Sequence, residues 1–115
     1  MANAERGAVA LEAGGKVYSL RFSTNAICEV EDHFGKPIMK IVEDLQDETN
    51  VSMKMVRALV WGALLEEHPA IQPSQAGYLL DEVGVPVMTE KIGLALQRFF
   101  PEAEGKANPP KAKAG

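Results

Sequence analysis

The segment Met53-Lys-Met-Val-Arg-Ala-Leu-Val-Trp-Gly-Ala-Leu-Leu-Glu-Glu67 is the longest helical pattern in the chain, with Asn50 or Ser52 as its cap. One arc of its helical wheel is apolar, formed by Val56, Leu59, Val60, Ala63 and Leu64. The opposite side is also largely apolar, with Met55, Ala58, Trp61 and Leu65 interrupted by Lys54 and Gly62. A helix that is apolar nearly all round either lies at the centre of a fold or shares one face with a partner. Both interpretations stay open at this point.

Two shorter helices are predicted before this segment. The first begins at Ser23 or Thr24 and ends at Phe34, where Gly35 acts as a stop signal. The second follows Pro37, which suits a first helical turn. It places three apolar residues on one side, namely Ile38, Ile41 and Leu45. Both patterns have the apolar stripe of a helix that packs on a core.

Two further helices are predicted after the central segment. One begins at about Pro73 and stops at Gly84, and the other runs from about Pro86 to Phe100. The first of the two is expected to bury Ala76, Leu79, Leu80 and Val83. The second is expected to bury Met88, Ile92, Ala95, Leu96 and Phe99. The chain therefore carries four or five short helices.

The N-terminal part, at about residues 7–22, has the pattern of a β-hairpin. Apolar residues alternate with small or polar ones on both sides of Gly14-Gly15, which supplies the turn. Two strands alone are marginally stable, so helices must cover Tyr18, Leu20 and Phe22. The predicted fold is one α+β domain over residues 1–101, an N-terminal hairpin packed on the short helices. Residues 102–115 have no large apolar side chain and are predicted to be a disordered tail.

Composition excludes several classes of protein. The 115 residues carry a net charge of −4 and a pI near 5.2, which disfavours binding to a phosphate backbone. No apolar run approaches the ~18 residues that a membrane helix needs, and no signal peptide is evident. One cysteine, Cys28, leaves no internal disulfide. We expect a soluble intracellular protein, with neither nucleic acid nor membrane as partner.

The chain offers little for catalysis. Cys28 has acidic neighbours rather than a nearby base, so we interpret it as an inert thiol. Glu29 and His33 share a helix face, but no further ligands complete a metal shell. Gly14-Gly15 lies between two strands, which is not the context of a phosphate loop. We therefore predict no enzyme activity, no catalytic residue, no cofactor and no metal.

Five sequence stretches support a resemblance to a known family. They are Arg6-Gly-Ala-Val-Ala-Leu11, Gly14-Gly-Lys-Val-Tyr-Ser-Leu-Arg-Phe22, Asn25-Ala-Ile-Cys-Glu-Val-Glu-Asp32, Val56-Arg-Ala-Leu-Val-Trp-Gly-Ala-Leu64 and the helix-closing Gly84. Together they resemble the small tail assembly chaperones of gene transfer agents and siphophage-like prophages, some of which are labelled tail tube proteins. The resemblance covers about residues 5–101, and that family has no catalytic motif to match.

The resemblance implies a protein that binds the tape measure protein while a phage-like tail is built, with tail tube subunits as a further candidate partner. It also implies a location in the host bacterial cytoplasm during assembly and absence from the mature particle. The tape measure is a long, helical, aggregation-prone chain, so helix-in-groove binding is the expected mode. Four apolar residues outside the main core arcs are the candidate partner contacts: Met55, Trp61, Leu65 and Phe100.

Two alternatives belong to other classes. A structural tail component, a tube or connector subunit that stays in the particle, fits less well because one short hairpin is little β-structure for joining rings. A DNA-binding regulator built on the helix pair around 69–73 is disfavoured, since residues 74–83 have no Lys or Arg and include Asp81 and Glu82. The oligomeric state, and an extension of the C-terminus by recoding, stay open.

Overall fold

The hairpin forms as its glycine pair predicts. The computed structural model describes residues 7–100, in which β1 (Val9–Ala13) pairs antiparallel with β2 (Lys16–Leu20). Ala13 pairs with Lys16, so Gly14 and Gly15 alone form the turn, with φ values of +59° and +78°. Two successive positive φ angles are typical of the type I′ hairpin turn, which glycine adopts without strain. The predicted tail at 102–115 lies outside the described residues.

Five helices follow the hairpin: α1 (Thr24–Phe34), α2 (Ile38–Gln46), α3 (Met53–Leu64), α4 (Pro73–Val83) and α5 (Val85–Phe99). Ser23 and Ser52 cap α1 and α3, since each hydroxyl accepts a hydrogen bond from a backbone N–H in the first turn. Gly35 ends α1 in the left-handed conformation, as predicted. These elements confirm the α+β class.

Helix α3 ends earlier than the sequence predicts. Its last residue is Leu64, and the stretch from Leu65 to Glu67 turns toward the next helix instead of extending α3. Pro69 disfavours helical geometry at the residue before it, which shortens the helix. As a result the α3–α4 loop, residues 65–72, folds back along the side of α3.

Helix α3 is the centre of the core. It packs against α1, α2, α4, α5 and β2. Eight of its residues are buried, over most of the circumference of the helix: Met55, Val56, Ala58, Leu59, Val60, Gly62, Ala63 and Leu64. Of the two interpretations that the sequence left open, the central position of α3 in the fold explains most of the apolar residues around its circumference. Little of α3 is therefore free to contact a partner.

Helix α4 buries fewer residues than predicted, and α5 buries nearly the predicted set. Helix α4 buries Ala76 and Leu80, whereas Leu79 and Val83 are only half-buried. Helix α5 buries Met88, Ile92, Ala95 and Leu96, and Phe99 packs at the edge of the core. Within residues 7–100, no helix is long and apolar enough to span a bilayer.

Candidate partner-binding surface

Trp61 and Leu65, two of the four predicted contact residues, lie together. They line a cleft of about 410 Å³ between α1 and the α3–α4 loop, which we call the Trp61 cleft. The indole Nε1 of Trp61 donates a hydrogen bond to the backbone oxygen of Ile71 at 3.0 Å. The bond fastens the loop to α3 and leaves part of the indole ring exposed. Trp61 is therefore both a structural residue and a wall of the cleft.

The prediction that Met55 contacts a partner is wrong. Its side chain is only 3 % exposed and belongs to the core cluster. The helical wheel placed Met55 away from the main apolar arc, but α3 is surrounded by other elements, so residues off that arc are covered as well. A partner cannot reach this side chain in the folded protein.

Phe100 does not join Trp61 and Leu65. It directly follows α5, half-buried, with its ring edge-on to that of Phe99 at a centroid distance of 4.7 Å. Phe100 is not among the residues that line the Trp61 cleft. The predicted contact residues therefore form no single site. Two of them share a cleft, one is buried in the core, and Phe100 packs at the end of α5.

A larger cleft, which the sequence did not predict, lies between the hairpin and α4. This Tyr18 cleft, of about 600 Å³, is lined by Lys16, Tyr18, His68, Pro69, Ala70, Ile71, Gln75, Tyr78, Leu79 and Glu82. Tyr78 is 71 % exposed, the most exposed large apolar side chain of the described residues. Its position was a usable signal, because Tyr78 falls opposite the predicted core arc of its helix. An aromatic residue on the solvent side of an amphipathic helix is a candidate contact residue.

A third cleft, of about 340 Å³, lies between α3 and α4. This Lys54 cleft is lined by Met53, Lys54, Arg57, Ser74, Gly77, Tyr78, Leu80 and Asp81. It shares Tyr78 with the Tyr18 cleft, which in turn shares Pro69 and Ile71 with the Trp61 cleft. Helix α4 contributes to all three clefts. We call the three together the α4 belt.

Charges near the α4 belt are partly neutralised within the fold. Glu66, on the rim of the Trp61 cleft, pairs with Arg21 at 3.2 Å and also accepts a hydrogen bond from the Ser23 hydroxyl. The described part's one buried charged residue is Asp44 on α2, which does not line any of the three clefts. A hydrogen bond from Lys36 at 2.9 Å lowers the pKa of Asp44, and the nearby Lys40 lowers it further. That cluster is structural.

Across residues 7–100, no group of three or more His, Cys, Asp or Glu side chains could hold a metal ion. Cys28 is a free cysteine, exposed on α1.

The α4 belt combines aromatic and aliphatic side chains with a similar number of polar and charged ones, which suits a protein segment. Comparison with known proteins adds no relative: no protein-family model, no curated protein and no solved structure matches this chain.

Proposed function

We propose that this protein is a tail assembly chaperone without enzyme activity, which binds helical segments of a tape measure protein along the α4 belt. Binding takes place in the host cytoplasm while the tail is built, and the mature particle does not retain the protein. Tail tube subunits are a second candidate partner. The family resemblance of residues 5–101 suggests the partner, and the α4 belt supplies a surface for it.

The observation that carries the proposal is the continuity of three shallow clefts along one helix. A helix that presents one apolar face fits a groove with apolar walls, and exposed aromatic residues act as its anchors. Tyr78 lines both the Lys54 cleft and the Tyr18 cleft, and Pro69 and Ile71 line both the Tyr18 cleft and the Trp61 cleft. A segment several turns long therefore meets apolar side chains in each of the three clefts.

The nature of the partner explains why the surface is shallow and open. A tape measure chain offers many different helix faces, so its chaperone gains from side chains that adapt their shape. Met53 at the edge of the α4 belt is 58 % exposed, and methionine is unbranched and flexible. Binding that relies on adaptable residues accepts varied sequences at moderate affinity.

The proposal is tested by producing the protein together with fragments of the tape measure protein encoded in the same genome. We expect the wild-type protein to keep at least one fragment soluble and to copurify with it. Tyr78→Ala should weaken binding by about 30-fold or more, equivalent to the ~2 kcal/mol of an interface anchor. Its stability should change little, since the Tyr78 side chain is largely exposed.

Met39→Ala is the matched control, because Met39 is an exposed apolar residue on α2 that lines none of the three clefts. The control variant should bind as the wild type does. Failure of the wild type to solubilise any fragment would overturn the chaperone role. Mass spectrometry of purified particles separates the alternative, since a structural tail component would be present there in many copies.

A further inference from the structure

The Lys54 cleft concentrates positive charge on a chain whose net charge is −4. Lys54 and Arg57 lie one turn apart on α3, and neither forms an ion pair with another side chain of residues 7–100. Asp81 is the only acidic residue lining this cleft. Two cations against one carboxylate leave the cleft with a positive side-chain balance.

The backbone adds to this charge. Met53 and Lys54 belong to the first turn of α3, and Ser74 belongs to the first turn of α4. The N-terminal turn of a helix carries a partial positive charge from its unpaired N–H groups. Both helix starts therefore favour acidic groups at the cleft.

Packing keeps one of the two cations at the cleft wall. A Cβ atom placed on Gly77 would lie 3.2 Å from Cδ of Arg57, so the absence of a side chain at position 77 leaves room for the arginine stem against α4. Beside these cations are two of the most exposed apolar side chains, Met53 and Tyr78. Apolar surface flanked by cations is complementary to an apolar face flanked by carboxylates.

We infer that the part of the bound segment that lies in the Lys54 cleft is an acidic amphipathic helix, whose apolar face contacts Met53 and Tyr78 and whose Asp or Glu side chains pair with Lys54 and Arg57. This inference rests on the proposed function and adds the charge of the partner. The Lys54 cleft disfavours a basic segment that has the same apolar residues.

The test uses two synthetic helical peptides with the same apolar stripe, one with Glu and the other with Lys beside it. Fluorescence anisotropy with the full-length protein should give about tenfold or greater preference for the acidic peptide, decreasing as salt is raised. K54E/R57E should reverse the preference. Lys91→Glu on α5 is the control, because it reverses the charge of one residue that lines none of the three clefts. This variant should keep the preference for the acidic peptide.

The single variants K54E and R57E keep the test valid if the double variant fails to fold, as judged by circular dichroism. Equal binding of the two peptides, binding of neither, or a preference that survives charge reversal would overturn the inference.

Tape measure fragments separate this outcome from that of the proposed function. Fragments that bind wild type and K54E/R57E equally well would overturn the charge inference and leave the chaperone role intact. Conversely, if no fragment binds while the acidic peptide binds in a Lys54- and Arg57-dependent way, the inference stands and the chaperone role fails.

Discussion

Gly62 on α3 leaves no room for a side chain against Val30 of α1, and replacing it with alanine is a direct test of the packing. A Cβ atom at this position would lie 2.4 Å from Cγ2 of Val30. Ordinary carbon contacts are ~3.5–4.0 Å, so the overlap is about 1 Å. Val30 is fully buried and β-branched, so its side chain has little freedom to rotate away. The helices themselves must therefore separate.

The expected magnitude combines two opposing effects. Overpacking of a core costs up to ~3 kcal/mol, and an overlap against a fully buried residue belongs at the upper end. Alanine recovers ~1 kcal/mol through its higher helix propensity. We therefore expect Gly62→Ala to lower the free energy of unfolding by about 2 kcal/mol, or the melting temperature by about 8–16 °C for a domain of this size.

Gly93→Ala on α5 is the matched control, because a Cβ atom there has no neighbour within 4 Å. It should stabilise the protein by up to ~1 kcal/mol through helix propensity alone. Urea denaturation followed by far-ultraviolet circular dichroism measures both variants, and it avoids the fluorescence of Trp61, which is adjacent to Gly62.

A double-mutant cycle completes this test. Val30→Ala removes the atom that clashes, so Val30→Ala with Gly62→Ala should lose less stability than the sum of the two single changes, by about 1 kcal/mol or more. A Gly62→Ala variant as stable as the wild type would refute the packing argument. So would strictly additive single changes.

Three other predictions follow from the structure and the sequence. Trp61→Ala should destabilise by ~2–3 kcal/mol, less than a fully buried tryptophan because Trp61 is only partly buried, and should also weaken partner binding. Trp61→Phe should lose mainly the hydrogen bond to Ile71, ~1 kcal/mol, in urea denaturation. Because the pKa of Asp44 is lowered, its ionised form stabilises the fold above the pKa of an unfolded aspartate, and this stabilisation disappears as pH falls through the lower pKa of the folded state. The melting temperatures of the wild type and of Asp44→Asn should therefore converge in acid. A difference that persists there would contradict the pairing with Lys36. Deleting residues 102–115 should leave the melting temperature nearly unchanged, since this stretch has no large apolar side chain to bury, and a loss of several degrees would show that it docks on the domain.

Local signals in the sequence were sufficient for the elements and their order. Gly14-Gly15 predicts the hairpin turn because two successive positive φ angles are strained for other residues. Ser23, Gly35 and Gly84 mark helix ends through hydrogen bonds and backbone conformations that involve only neighbouring residues. The α+β class followed from these signals and from the periodicity of apolar residues.

The candidate surface depended on tertiary structure. A helical wheel ranks the faces of one helix but does not show how many neighbours surround it, so Met55 was predicted to be exposed and is buried. The α4 belt combines residues that are far apart in sequence, such as Lys16 and Tyr78, and only chain packing brings them to one cleft.

The sequence by itself therefore determined the hairpin, the helical patterns that follow it and most of the core residues, because hydrogen bonding and periodicity are local. The tertiary structure decided that α3 is central, that Trp61 fastens a loop, and that α4 borders three clefts. Which apolar residues remain exposed depends on the excluded volume of every other element, and no single segment of sequence contains that information.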